Sequence, residues 1–398
     1  MKWGSEFMRI FYIIHDNKKG GAALSFLDMI KGVSKEHEVY VFTPHKNGFI
    51  PDELEGLGIW HKSAHYFWWE IAKIGNPIID FARFVVYKCL AFGNYVEAHR
   101  ITKLVKRLDV DIIHSNSSTI NIGAIVSEIT GIPHVWHLRE LSLPEYPLYP
   151  VRKTESLSKV LNQGRTSYIA ISEYAKRFYG EFINDADRIS VVYNGISSSY
   201  NYRKSADEYN SGAISFLISG NYCVEKGQID VAHTVGLLVS QGVTGFKVYM
   251  AGRGDFAEVK EYILANGLAD YVVLCGLVDD MLALRKRCDV EIVASRTEAF
   301  GRVTVEAMRA SNPVIGSATG GTTELIQDGV TGYLYEYKDD AALAACMKRF
   351  IERPTLAYEM GQRAYEWSVD KFTSEENVKG VLGVYERMKS LRLIELGE

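Results

Sequence analysis

The sequence predicts an α/β protein of two doubly wound, Rossmann-like domains, and three observations predict it. A chain of 398 residues exceeds what one hydrophobic core usually serves. Short apolar runs alternate with helix-like segments along its length, the βαβ rhythm of parallel sheets covered on both faces. A polar stretch, SSSYNYRKSADEYNSG (197–212), separates two such series and reads as the connection between domains.

In the first series RIFYIIH (9–15) reads as a buried strand, GGAALSFLDMIKGVSK (20–35) as a helix, and HEVYVFTP (37–44), DIIHSN (111–116) and HVWHL (134–138) as later strands. The second supplies strands at 213–219, 246–252, 271–276, 289–295 and 312–317. The stretch 368–391 reads as a helix capped by Thr373 or Ser374, with apolar spacing at Val378, Val381, Leu382 and Tyr385. MKWGSEF (1–7) has the look of an expression-vector remnant. The expected division is therefore 8–200, 201–372 and a C-terminal helix, 373–398.

Composition narrows the function. With 47% hydrophobic and 24% charged residues the chain is globular, and a net charge of −4 argues against wholesale nucleic-acid binding, which needs a basic surface. Five cysteines without a C-x-x-C pair read as buried thiols in a reducing compartment, with no zinc site. The apolar run after Met8 is too short for a signal peptide or a membrane span, which gives a cytoplasmic reading.

Ligands of open parallel sheets bind beyond the carboxyl ends of the strands, where helix N-termini favour anions. Three positions suit such a site in this chain. Gly20 and Gly21 open a helix after a strand and offer backbone amides. Lys226, with Gly227, opens another helix after the strand 213–219, and a cation there opposes the helix dipole unless an anion sits beside it. SRTEAFGRVTVEAMRASNPVIG (295–316) puts Glu298 on a loop, the Phe300 and Gly301 amides at a helix start and Glu306 two turns inside. A carboxylate can accept hydrogen bonds from vicinal hydroxyls of a sugar or ribose. The DVD at 109–111 resembles a D-x-D metal motif but reads as turn chemistry before a strand, and His114 and His134 read as strand residues rather than ligands.

Taken together, GGA at 20–22, HLRE with His137, ISEYAKRF at 171–178, VVYNGI at 191–196, Gly220 to Lys226-Gly227, AGRGD at 251–255, and E-x-F-G-x-x-x-x-E-A at 298–307 with Pro313 and GG at 320–321 resemble the retaining family-4 glycosyltransferases of GT-B fold. The resemblance spans nearly the whole chain. It implies two Rossmann-like domains facing a central cleft, a nucleotide-sugar donor held mainly by the C-terminal domain, and an acceptor held mainly by the N-terminal one. In that reading Glu298, with Ala299, Phe300 and Gly301, binds the donor sugar, and Glu306 binds the ribose. Gly20, Gly21, Asn221 and Lys226 lie at the diphosphate. His137 and Glu298 are the catalytic candidates, with no metal and no cofactor beyond the nucleotide sugar. UDP is favoured only by its frequency in the family.

One position departs from the pattern. Asn221 stands where the family usually has Arg, removing a cationic phosphate contact that Arg302 or Arg253 would have to replace. Residues 61–108 are also distinctive, with six Phe and Trp among eight basic and three acidic residues. They read either as two amphipathic helices packed on the sheet or as a surface for the inner membrane leaflet, suited to a lipid-linked acceptor. Two rival functions share the architecture: a sugar-nucleotide epimerase, which needs acid–base carboxylates not found here, and a non-catalytic nucleotide-sugar-binding protein.

Overall fold

The computed structural model describes residues 7–72, 76–141, 148–150, 154–162, 166–209 and 212–396, so residues 1–6 of the MKWGSEF stretch lie outside the described residues. The chain forms two compact units. One ends at Gly195 but takes back the residues from Ser374 onward; the other is Ile196–Thr373.

The first unit contains β1 (Arg9–Ile14), β2 (Glu38–Thr43), β3 (Trp60–Ser63), β4 (Glu70–Ala72), β5 (Ile112–Asn116), β6 (His134–Leu138), β7 (Leu148–Pro150), β8 (Thr166–Ala170) and β9 (Ile189–Val191). Seven make a parallel sheet of order β3-β2-β1-β5-β6-β8-β9, while β4 and β7 pair antiparallel. Side chains alternate across a strand, so Ile10 and Tyr12 enter one core cluster and Phe11 and Ile13 the other. The first cluster includes Phe26 and Ile30 of helix Gly21–Val33 and Val381, Val384 and Tyr385 of helix Ser374–Leu396. That last helix contributes to the first unit's core.

The second unit adds β10 (Ile214–Ser219), β11 (Phe246–Ala251), β12 (Val272–Gly276), β13 (Val290–Val293), β14 (Val314–Ser317) and β15 (Gly332–Tyr335), all parallel in the order β12-β11-β10-β13-β14-β15. Strand order reverses at β1, between β2 and β5, and at β10, between β11 and β13. Loops leaving the carboxyl ends of such strands diverge and leave a crevice for a ligand.

Three expectations are corrected. Residues 197–209 are not a free connection: the Tyr202 amide donates to the Arg309 carbonyl at 2.7 Å, Tyr209 is buried in the core, and Lys204 Nζ donates to the Cys288 carbonyl and to Asn312. Burial lowers the Lys204 pKa to about 8, and a polar composition conceals these anchors. Residues 210 and 211 lie outside the described residues. The stretch read as two helices is one of 31 residues, Pro77–Arg107, started by the Asn76 side chain accepting from the Ile78 and Ile79 amides. Gly93 does not break it, and the neighbouring Asn94 turns inward to bond both backbone groups of Phe67 at 2.9 Å. Finally, Cys288 is buried, whereas Cys89 is exposed on that helix.

Candidate active site

β10 and β13 are paired neighbours, so the loops following them leave the second sheet side by side. The first carries Lys226 and the second Glu298. Lys226 Nζ lies 2.6 Å from Glu298 Oε1, and Ser295 Oγ donates to the same oxygen at 2.6 Å. No donor among the described residues is bonded to Oε2. The two side chains are 22% and 13% exposed, shielded enough for their attraction to exceed that of a solvated pair.

Local backbone chemistry sets this meeting. Lys226 ends a short 3-10 turn, and Gly227 follows with φ of 73°. A Cβ on Gly227 would lie 2.4 Å from the Ala294 carbonyl, so only glycine lets the two loops approach this closely. The helix begins at Gln228, after Lys226 rather than with it. The sequence predicts Lys226 in the first helical turn with an anion beside it; the structure puts it before the helix, and the anion beside it is Glu298.

On the other side of the glutamate, the Gly321 amide donates to the Glu298 carbonyl at 2.7 Å, and a Cβ on Gly320 would come within 2.5 Å of that same oxygen. The Phe300 ring is buried against Phe372, with centroids 5.9 Å apart. Ala299 is buried as well. These two residues therefore offer a ligand backbone rather than side chain. Gly301 caps helix Arg302–Arg309, whose first amides lack intrahelical acceptors.

Glu306 lies one helical turn beyond Arg302 in a dense ionic network. Arg302 Nε donates to its Oε1 at 2.8 Å and Arg285 Nη1 to its Oε2 at 2.9 Å. Arg285 also grips Glu291, with Nε 2.9 Å from Oε2 and Nη2 3.3 Å from Oε1. Burial disfavours the Arg285 charge, yet Glu291 and Glu306 hold its pKa above the ordinary guanidinium range. Glu306 therefore meets two arginines; each oxygen still has a lone pair for a hydroxyl. Arg285 was missed from the sequence, where it is one cation of an RKR run.

In the first unit Gly20 precedes helix Gly21–Val33 in extended backbone, and a Cβ on either glycine would meet nothing within 4 Å. Packing does not demand glycine here. The open space and free first-turn amides suit an anionic ligand.

His137, on β6, is fully buried, and its Nε2 has no hydrogen-bond partner among the described residues. Arg139 Nη2 lies 3.4 Å and His114 Nε2 3.3 Å from His137 Nδ1. A guanidinium only donates, so Nδ1 accepts and Nε2 carries the proton. His114 then donates from Nε2 and accepts at Nδ1 from the Tyr385 hydroxyl at 2.6 Å, which accepts from Tyr12 at 2.9 Å. Burial, then Arg139, pushes both histidine pKa values well below the ordinary range. His137 is thus a neutral N–H donor whose tautomer is fixed by Arg139, while that of His114 is fixed by Tyr385 of the C-terminal helix. Tyr385→Phe removes the hydroxyl donor to His114. The His114 ring nitrogens should then show mixed tautomers by 15N NMR, whereas His137, still facing Arg139 at Nδ1, should keep Nε2–H.

The other sequence candidates have structural partners. Asp111 Oδ2 accepts from the Arg9 amide at 2.8 Å and Asp109 Oδ2 from Arg9 Nη1 at 2.7 Å. His134, its pKa lowered by burial to about 3, lies between Ser115 and Thr166. Among the described residues no three His, Cys, Asp or Glu side chains gather as a metal-binding group.

The Glycosyl transferases group 1 profile matches residues 203–367 and the Glycosyltransferase Family 4 profile residues 19–200. The chain belongs to these GT-B glycosyltransferases. This glycosyltransferase is 28% identical over 299 residues to the uncharacterized glycosyltransferase MJ1178 of Methanocaldococcus jannaschii, covering 74% of this chain and 80% of that protein. It is 22% identical over 330 residues to the capsular polysaccharide biosynthesis glycosyltransferase CapH of Staphylococcus aureus, covering 80% and 84%. Its fold matches that of Anabaena HepE in complex with UDP, with a TM-score of 0.76 and 21% identity over 96% of this chain and 100% of that one.

Asn221 of the glycosyltransferase is exposed and adds no charge. Of the two arginines considered as substitutes, Arg302 is committed to Glu306. Arg253 is exposed, makes no side-chain hydrogen bond or ion pair with the described residues, and accepts the Tyr222 amide at its carbonyl at 2.7 Å, which ties its loop to the Asn221 turn. Arg253→Ala should weaken nucleotide-sugar binding by about tenfold, the loss of one charge-assisted hydrogen bond, without lowering the melting temperature. Calorimetric titration with the donor measures it.

Proposed function

We propose that this glycosyltransferase moves a hexosyl unit from a UDP-linked sugar to a glycan or lipid-linked oligosaccharide in bacterial-type surface polysaccharide assembly, with retention at the anomeric carbon and without a metal. The observation that carries the reading is the meeting of Lys226 and Glu298 at the switch point of the second sheet. There Glu298 Oε2 receives sugar hydroxyls, while Lys226, Arg253 and the helix-start amides receive the diphosphate. Fixed charges aimed at a developing leaving group are a large source of acceleration.

Glu306 is the proposed ribose contact, held in place by Arg285 and Arg302. His137 donates its Nε2 proton in a hydrogen bond to a hydroxyl of the donor sugar. Gly20 and Gly21 add amides at the phosphates. UDP is supported by its presence in the HepE complex, retention by the E-x-F-G-x-x-x-x-E pattern, and the polysaccharide role by the likeness to CapH. The working location is the cytoplasmic side of a membrane, with residues 61–108 toward the inner leaflet.

A thermal-shift panel of nucleotide sugars tests the donor. The correct one, at roughly 100 times its dissociation constant, adds about 2.7 kcal/mol of stability. Incubation with acceptors then separates glycosylated product from epimerised donor or binding without turnover. Transfer unchanged by EDTA supports metal independence; loss restored by Mg²⁺ or Mn²⁺ refutes it. Stabilisation by UDP-sugars with no transfer to any glycan acceptor would favour the non-catalytic alternative kept open by Asn221.

A further inference from the structure

We propose that helix Pro77–Arg107 seats the first unit on an anionic lipid bilayer, its first five turns at the acyl–headgroup boundary and its last turns, with Lys62, on the lipid phosphates. This deepens the lipid-linked acceptor reading and rests on it only for biological purpose.

The helix is divided along its length. At 3.6 residues per turn, Ile78, Phe81, Val85, Phe92 and Val96 share one face, and Lys103 continues it toward the C-terminus. Ile78 is 81%, Phe81 68% and Phe92 71% exposed. The opposite face is anchored only in its second half, where Asn94, Ala98, Ile101 and Val105 are buried. Apolar side chains of this size exposed in sequence-contiguous turns form a patch that a free soluble surface seldom carries.

The basic end determines which partner fits. Beside the last turns lies a groove of about 400 Å³ lined by Lys62, Arg100, Lys103 and Arg107 with a single acid, Glu97, and Arg100 Nη1 neutralises that acid at 3.0 Å. The surface thus presents apolar side chains followed directly by uncompensated cations, the order met on passing from acyl chains to phosphates. A second copy fits less well: parallel pairing opposes two basic ends, and antiparallel pairing lays lysines on phenylalanines. No helix among the described residues is long and apolar enough to cross a membrane, so the helix lies in the interface plane.

The test is co-sedimentation of the full chain with vesicles of phosphatidylcholine alone or mixed with phosphatidylglycerol, at low and high salt. Wild type is expected to partition at least tenfold more strongly onto the mixed vesicles, and salt should erase that preference. F81S/F92S should lose about a hundredfold on both kinds of vesicle. K103E/R107E should lose the anionic preference, since each basic residue near the surface adds about fivefold. All of these side chains are exposed, so melting temperatures should stay unchanged.

Absence of partitioning, or partitioning indifferent to both variants, overturns the proposal. So does a dimer dissolved by F81S/F92S in a protein that ignores vesicles, which would make the face a self-interface. Donor binding is read separately from the thermal shift. If nucleotide sugars fail to stabilise the protein while vesicle binding follows the expected pattern, the glycosyl-transfer reading falls and the docking surface stands.

Discussion

Glu298→Ala is expected to reduce kcat/KM by about two to three orders of magnitude, with the fold intact. The magnitude is that of removing one preorganised group from a site where charge develops. Stability should fall only modestly, by about 1–2 kcal/mol. Oε2 makes no bond to the described residues, and the two bonds lost at Oε1 come from Ser295 and from the part-shielded Lys226. Lys226 keeps its charge for the diphosphate, so donor affinity should fall less than turnover. Lys226→Ala should do the reverse, raising the donor KM and weakening inhibition by free UDP. Glu298→Gln separates shape from charge: it keeps the hydroxyl contacts but loses the ion pair, so recovery of most activity would show that Glu298 acts chiefly as an acceptor of hydrogen bonds. Near-wild-type turnover in both alanine variants would defeat the site assignment.

That pair illustrates what the sequence could and could not reveal. The strands nearest the site were legible because central parallel strands are buried on both faces and read as unbroken apolar runs, as RIFYIIH and AISFLIS do. Edge strands such as β3 (WHKS) and β9 (ISV) are short and part-exposed, and so lack that signature. Glu298 and Lys226 stood out by their motifs, but their contact joins residues 72 apart and follows from β10 lying beside β13, which spacing does not disclose. The long helix was misread because Asp80, Arg83 and Lys88 interrupt its apolar first half while its second half buries only one face, so the 31 residues carry no single periodicity. The Tyr385 position was legible as one apolar face of the last helix. Its hydroxyl bond to His114, 271 residues away, was not.

Arg285 left the weakest trace and should show the largest stability effect. Its side chain is 1% exposed and Glu291, its bidentate partner, is 0% exposed. Arg285→Met removes the cation but leaves Glu291 buried with only the Ser219 hydroxyl, and breaking a buried pair in this way costs about 3–5 kcal/mol. Glu306 suffers less, since Arg302 remains. The second unit should therefore melt well before the first, visible as a split transition in calorimetry and as early hydrogen exchange in β10 and β13. The double variant Arg285→Met/Glu291→Met discriminates between causes. If the loss comes from an orphaned charge, removing Glu291 as well should restore more than half of it. If instead the guanidinium is needed to tie together helix Met281–Arg287, β13 and helix Arg302–Arg309, the double variant will be no more stable than the single. A restored fold with weakened donor binding would assign Arg285 to positioning Glu306, because Arg302 alone fixes only one of its two oxygens.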